Sequence, residues 1–322
     1  MKFIGRTADF GIAKETVRGT AETAATFYLP KMSVSLDDET EKYVDENSIG
    51  IVEDSIDTVN VKKVAVGEFE GKIGDRSMGL LLLGALGSVS TTGPSDSAYT
   101  HTYNVGQSAQ HQALTLFLED SNQDYKYALG MINTLTIESL LGQYAVVRAS
   151  FRSKIGATAT LTPSYTAENH FLPKHGVFKL ASTQAGLGAA SAVNIRRVSV
   201  TFNNNLEDDD AIGSEQPVDI LNKQFSISGS LEMVFDAETI KTLQLADTAQ
   251  AMRIQLQNTD VTIGASTRPE LRVDLHSVKF SNLRRNYNNN DVATISVDFT
   301  GHYKLADSRA ITVVLVNTQA SY

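Results

Sequence analysis

The chain has 322 residues, 42% hydrophobic and 20% charged, enough to bury a substantial core; its length favours about two domains and its composition argues against disorder. It has no cysteine, which excludes disulfides, thiolate metal sites and a cysteine nucleophile and suits assembly in a reducing cytoplasm. A net charge of −9 sets the surface against gripping a nucleic-acid backbone, and no run approaches the ~20 apolar residues of a membrane helix, so neither sequence-specific DNA binding nor membrane binding is expected.

Residues 1–27 show no sustained period and lack the apolar core of a signal peptide; they read as an N-terminal arm. Residues 28–155 read as a first module. It opens with an alternating strand, Met32 to Leu36, and returns through a second, Val61 to Lys72, marked by Val64, Val66 and Phe69; the period of two signals half-buried strands. Between them Asp37 to Asp57 carries nine acids and one lysine and is expected as an extended, mostly structureless loop. Its apolar members Ile49, Ile51, Val52, Ile56 and Val59 make it a loop that packs on something. Asp75 is the expected N-cap of a helix in which Met78, Leu81, Leu82 and Leu86 recur at helical spacing until Gly87. Ser88 to Gln110 reads as a polar stretch with a turn at Gly93-Pro94, and strands follow at Gln112 to Glu119, Tyr127 to Ile137 and Tyr144 to Lys154.

Residues 156–192, with Pro163, Pro173, Gly176, Gly186 and Gly188, read as a connector holding one strand at Val177 to Leu180. Residues 193–322 then repeat the first order. A strand (Ile195 to Phe202), an acid-rich run (Asn203 to Asp219) and a strand (Phe225 to Leu231) lead to a helix opening at Asp236 and spanning Ala237 to Leu245. Strands follow at Met252 to Gln257, Leu271 to Phe280 and Val292 to Tyr303, with Arg284 to Asn290 as a turn. Matching Val34 with Val200, Val66 with Ile227, Arg76 with Ala237 and Leu116 with Ile254 gives an internal repeat whose offsets drift where the loops differ in length. The strongly β-forming Ile311 to Val316 is expected either to complete a sheet or to pair with a neighbouring subunit.

No catalytic constellation competes with this duplication. The histidines (His101, His111, His170, His175, His276, His302) never fall in a zincin spacing. No nucleophile elbow or dinucleotide fingerprint occurs, and Gly71-Lys72-Ile73-Gly74 lacks the ending of a phosphate loop. No enzyme activity, cofactor or metal is therefore expected. Asp208-Asp209-Asp210-Ala211-Ile212-Gly213 has the look of a calcium loop, but Ile212 stands at a ligand position and Asp219 where a bidentate Glu belongs, so a solvated or interfacial loop is expected. In so acidic a chain Arg284 and Arg285, with Arg268 and Arg272, are expected to pair with carboxylates of a neighbouring subunit.

The opening Gly5-Arg6-Thr7-Ala8-Asp9-Phe10-Gly11-Ile12-Ala13-Lys14-Glu15 with Gly19-Thr20-Ala21, the strand into the acidic Leu36 to Asp57, and Val66-Gly67-Glu68-Phe69-Glu70-Gly71 before the helix resemble the tail tube (major tail) proteins of long-tailed, non-contractile bacteriophages. The resemblance covers most of the chain. It implies a mainly β fold, here two tandem tail-tube-like β-sandwich or barrel modules, each with a flanking short α-helix and a long inter-strand loop. It also implies a structural protein of the virion tail, assembled in the host cytoplasm, whose rings stack into a tube that passes DNA without specific binding and meets other tail proteins at its ends. By position the loops become the subunit and ring contacts: Asp37, Asp38, Glu39, Glu41, Ile49, Ile51, Glu53 and Asp54 in the first, and Glu207, Asp208, Asp209 and Asp210 in the second, with Arg284 and Arg285. If rings of the resembled family hold six module positions, three two-module subunits close a pseudo-hexameric ring; six subunits with one module outside is the alternative. Against this stand a secreted or surface β-sandwich adhesion or carbohydrate-binding module, disfavoured by the absence of Trp, and a decoration or sheath component.

Overall fold

Apolar side chains at every second position bury one face of a strand, and this pattern fills the molecule with antiparallel sheet, with two short α-helices among the described residues. The computed structural model describes every residue except Met1, Phe3, Ser48, Ile51, Glu53, Asp236 and Ala237. The chain enters through β1 (Asp9–Lys14) and β2 (Phe27–Leu29), then makes a long hairpin of β3 (Lys31–Asp45) and β4 (Asp57–Lys72) that leads into α1 (Met78–Leu86). A hairpin of β5 (Gly87–Ser95) and β6 (Ala98–Val105) precedes β7 (Leu114–Glu119), β8 (Asp124–Leu140) and β9 (Val146–Ser153). β10 (Ala157–Ala159), β11 (Gly176–Ala181) and β12 (Arg197–Asn203) follow, then the small hairpin β13 (Glu207–Asp209) and β14 (Asp219–Leu221), and β15 (Ser226–Val234). The chain continues through α2 (Thr239–Leu245), β16 (Gln250–Gln257), β17 (Glu270–Asn286), β18 (Thr294–Gly301) and β19 (Ile311–Asn317).

One strand order occurs twice. In the first half β3, β4, β9, β8, β7 and β1 are successive antiparallel neighbours; in the second, β12, β15, β18, β17, β16 and β11 are. The registers agree residue by residue. Leu36 lies opposite Gly67 and Gly67 opposite Phe151, as Val200, Gly229 and Phe299 do. A Cβ on Gly67 would sit 2.7 Å from the Ser35 carbonyl oxygen and one on Gly229 2.3 Å from that of Ser199, so the backbones approach too closely for a side chain at both positions. A single sequence offset links Ile132 to Phe280, Thr136 to Arg284 and Phe151 to Phe299, and each long strand carries an extra residue just past the first of these. The structural equivalence corrects the sequence matching: Leu36, not Val34, corresponds to Val200, and Ala65 to Ile227. Leu116 likewise corresponds to Met252, through their partners Tyr127 and Leu275. A period of two cannot register a slip of two, as at Val34 and Leu116; the match through Val66 is off by one and set it on the wrong face of β4. The match through Ala237, and the helix start at Asp236, fall outside the described residues.

Two strand pairings join the halves. β12 pairs with β8, with Thr136 and Thr201 hydroxyls 2.8 Å apart. β19, which was expected to complete a sheet or reach a neighbour, pairs within the chain with β17 on one side and β6 on the other. A single apolar cluster therefore runs through both halves, from Phe10, Phe69 and Phe151 to Phe202 and Phe299. Phe10 stacks on Phe69 with ring centroids 5.2 Å apart.

Several segments differ from expectation for identifiable reasons. Asp37 to Asp57 is no structureless loop: its flanks are paired strands out to Asp45 opposite Asp57. There the ribbon has left the core, both faces are wet, and no alternation marks it. Ser88 to Gln110 holds the β5–β6 hairpin, whose outer strand is largely exposed and so needs Thr and Ser rather than apolar residues. The segment read as an arm contains β1, set between β2 and β7, with Phe10 and Ile12 fully buried. Arg284 to Asn286 extend β17 and are no part of a turn. Asp75 does not cap α1; it accepts bonds from the Asn169 backbone N–H (2.9 Å) and side-chain amide (2.8 Å). Glu168, from the stretch read as a connector, takes the capping place by accepting the Ser77 backbone N–H and hydroxyl, both at 2.8 Å. Burial pushes its carboxyl up to about 7 despite those bonds. Helix α1 is apolar all round and buried along its whole length, as a core helix must be, and Gly87 ends it at φ 83°.

If β19 seams the halves, Leu315→Ala, at a position with no exposure, lowers stability by about 2–5 kcal/mol. Urea unfolding read by circular dichroism measures this, and an unmoved midpoint refutes the seam.

Candidate assembly interface

Beyond Leu36 and Val64 the β3–β4 hairpin projects from the core with Thr40 opposite Lys63, Glu41 opposite Lys62 and Tyr43 opposite Val59. Apolar side chains face solvent: Tyr43 is 65% exposed, Ile49 68%, Val59 55% and Val52 fully exposed. A bare two-stranded ribbon is marginal in water, and a run of exposed apolar residues along one marks a contact surface. Asp37, Asp38, Glu39 and Glu41 lie on β3, and Asp38 accepts the Gly156 N–H at 3.0 Å. Ile49 and Asp54 are exposed at the tip, while Ile51 and Glu53 lie outside the described residues.

The second acidic run takes a different course. It folds back over the first half, where Asp208 is gripped by Nε and Nη2 of Arg152, each at 2.5 Å, and by Lys62 at 2.7 Å. Lys62 also reaches Asp210 at 2.5 Å, and Lys63 pairs with Glu215. At the other end Arg18 binds Asp219 and the Ile220 carbonyl, both at 2.8 Å, and Ile220 is buried against Ala113, Leu129 and Met131. Glu207 pairs with Lys223 and Asp209 sits in register opposite Asp219. Thus the structure gathers Asp208 and Asp210 around basic partners that sequence reasoning missed. Their signal was faint: Arg148, Ser150 and Arg152 alternate along β9, placing two guanidinium groups on one face.

A second polar cluster spans the β8–β12 joint. Glu138 accepts from Arg197 at 2.7 Å and from Arg148, which also holds Glu70 at 2.9 Å. Burial alone would raise the Glu138 carboxyl, but the two arginines outweigh it and hold it below the usual range. Three of the four arginines expected to reach a neighbour have partners at home. Arg285 binds both oxygens of Glu238 at 2.7 Å beneath the Phe235 ring; Arg272 pairs with Glu270 and Asp274; Arg268 donates to the Thr259 carbonyl. Arg284 is exposed and makes no ion pair among the described residues. Among the described residues no group of three or more His, Asp or Glu side chains is placed to hold a metal ion, and no helix is long and apolar enough to cross a membrane.

Burial raises the Asp208 carboxyl, yet the bonds from Arg152 and Lys62 exceed that and hold it below the ordinary carboxylate range. A depressed folded pKa stabilises fully above the unfolded value of about 4 and is lost as pH falls through the folded value. Asp208→Asn therefore costs about 1–3 kcal/mol at neutral pH, and its gap to the parent closes in acid. Thermal melts at pH 7 and pH 3 read this; an equal gap at both refutes the ion-pair account.

The arrangement is a strand order built twice, with one long acidic run projecting from the core and the other docked on the first half. The family model described as phage tail tube protein matches residues 5–301. No curated protein shows a significant match to the chain. With nearly its whole length aligned to that model, the chain belongs to the phage tail tube protein family.

Proposed function

We propose that the chain self-assembles into stacked rings that form the tail tube and conduct DNA, three subunits closing each pseudo-hexameric ring. Family membership makes it a structural protein of the virion tail. The observation that carries the ring reading is the strand order that occurs twice, with β8 and β12 hydrogen-bonded between the copies. On this reading residues 28–155 and 193–322 are the two modules, 1–27 and 156–192 are the arm and connector that dress them, and one chain occupies two adjacent ring positions. Six subunits with the second module outside the tube is less well supported, because that module shares a sheet with the first. The chain performs no catalysis on this reading, and other tail proteins meet it at the tube ends. Image reconstruction of assembled tubes tests the stoichiometry: three-fold symmetry with two similar but distinct inner modules supports it, and six identical subunits refute it.

The β3–β4 hairpin, with its exposed Tyr43, Ile49 and Val52, is assigned to contacts with the next ring. Replacing Tyr43 to Val59 by a two-residue turn removes ribbon whose described residues are paired or exposed and should leave a folded monomer that no longer polymerises. Tubes of normal length from this variant in electron micrographs would sink the assembly role. The tube wall facing DNA is taken to be net acidic, following the net charge of −9. Duplex DNA should then show no measurable binding to assembled tubes at moderate salt; micromolar affinity with a steep salt slope overturns this.

A further inference from the structure

We infer that neighbouring subunits join through one specific antiparallel strand pair, the outer edge of β3 on one copy against Ser281–Asn286 of β17 on the next, with Asp37 opposite Arg284. The inference rests on the three-subunit reading above and supplies the junction that reading lacks. Within the chain, β12 completes its sheet by pairing with the second half of β8. The counterpart of β12 is β3, and the counterpart of that part of β8 is β17 from Asn282 onward. Among the described residues neither counterpart has a strand on the corresponding side. β3 pairs only with β4, and Ser281–Asn286 only with β18. An unpaired edge on each end of a duplicated sheet is a template for repeating the internal joint between copies.

The register of that joint can be carried across. Inside the chain Thr201 faces Thr136, Val200 faces Ile137, Ser199 faces Glu138 and Val198 faces Ser139. Replacing each by its counterpart puts Asp37 opposite Arg284, Leu36 opposite Arg285, Ser35 opposite Asn286 and Val34 opposite Tyr287. A neutral hydroxyl pair thus becomes an acid facing a base, both exposed in the single chain. Tyr287, 62% exposed, gains an apolar partner. Arg285 stands where the first half has a core isoleucine, and its guanidinium over Phe235 covers the apolar face left open at that end. An open groove already runs along the free edge of β3, floored by Val34, Leu36, Leu118, Tyr125 and Tyr127. On that side the Tyr127 hydroxyl donates to the Leu36 carbonyl oxygen at 3.5 Å, and β3 offers its backbone to a partner strand as β12 does to β8.

The chain has no cysteine, so a double variant S35C/N286C reports the register cleanly, since directly opposed residues of an antiparallel pair lie within disulfide reach. Mild oxidation of its tubes should give covalent two- and three-chain species and nothing longer on non-reducing gels. The out-of-register control S35C/R285C, whose side chains point to opposite faces, should give none. Separately, D37R and R284D should each block assembly while melting like the parent monomer, and the D37R/R284D swap should restore tubes. Normal tubes with no link in S35C/N286C, or a swap no better than the single variants, overturn the strand pair while leaving the tube reading intact. If the unmodified chain forms no rings or tubes at all, the tube reading fails and the junction with it.

Discussion

The molecule depends on backbone hydrogen bonding between β8 and β12. That joint places Val200 and Phe202 beside Ile137 and Leu135 in one core, so two similar sheets become one. It also fixes where the second acidic run must go, because a chain leaving β12 at Asn203 emerges over β9 and β4, within reach of Arg152 and Lys62. A strand edge left open at this place would expose a row of unpaired amides and carbonyls. Pairing it inside the chain removes that liability at one end of each half and leaves it at the other.

Sequence reasoning reached the mainly β class, the two helices and the duplicated order because the buried strands carry their alternation openly, as in Val198, Val200 and Phe202. It failed where burial does not alternate. β1 holds Phe10-Gly11-Ile12-Ala13, covered by neighbours on both faces, and a short run without polar punctuation carries no period. The outer part of the β3–β4 ribbon fails for the opposite reason, being wet on both faces, so Glu39, Thr40 and Glu41 look like loop although they are paired. The cap of α1 was illegible because it comes from Glu168, far along the chain; no local rule links that residue to Ser77.

The contact residues divide along the same line. Two acid-rich runs look alike in composition, and nothing in their sequence says that one is taken up within the chain while the other is not. The difference is made by partners. Asp208 meets Arg152 and Lys62 because the β8–β12 joint brings them together, whereas Ile49, Val52 and Asp54 of the first run stay exposed. The exposed Asp37 and Arg284 lie on the two strand edges that have no strand partner among the described residues.

Charge also decides which edges can meet. Two β3 edges brought together would oppose Asp37, Asp38, Glu39 and Glu41 with the same set, and two β17 edges would oppose Arg284 with Arg284. Like charges directly opposite destabilise a strand pair, whereas β3 against β17 sets acid against base. Self-complementary, two-fold pairing is therefore disfavoured at both edges and head-to-tail pairing is favoured. A head-to-tail contact repeats without limit unless its rotation closes, so ring or filament is set by geometry once charge has chosen the partner. The internal joint supplies that geometry: if the contact between copies repeats β8–β12, each step turns by the angle already built into one chain, and the ring closes when the modules have completed a full turn.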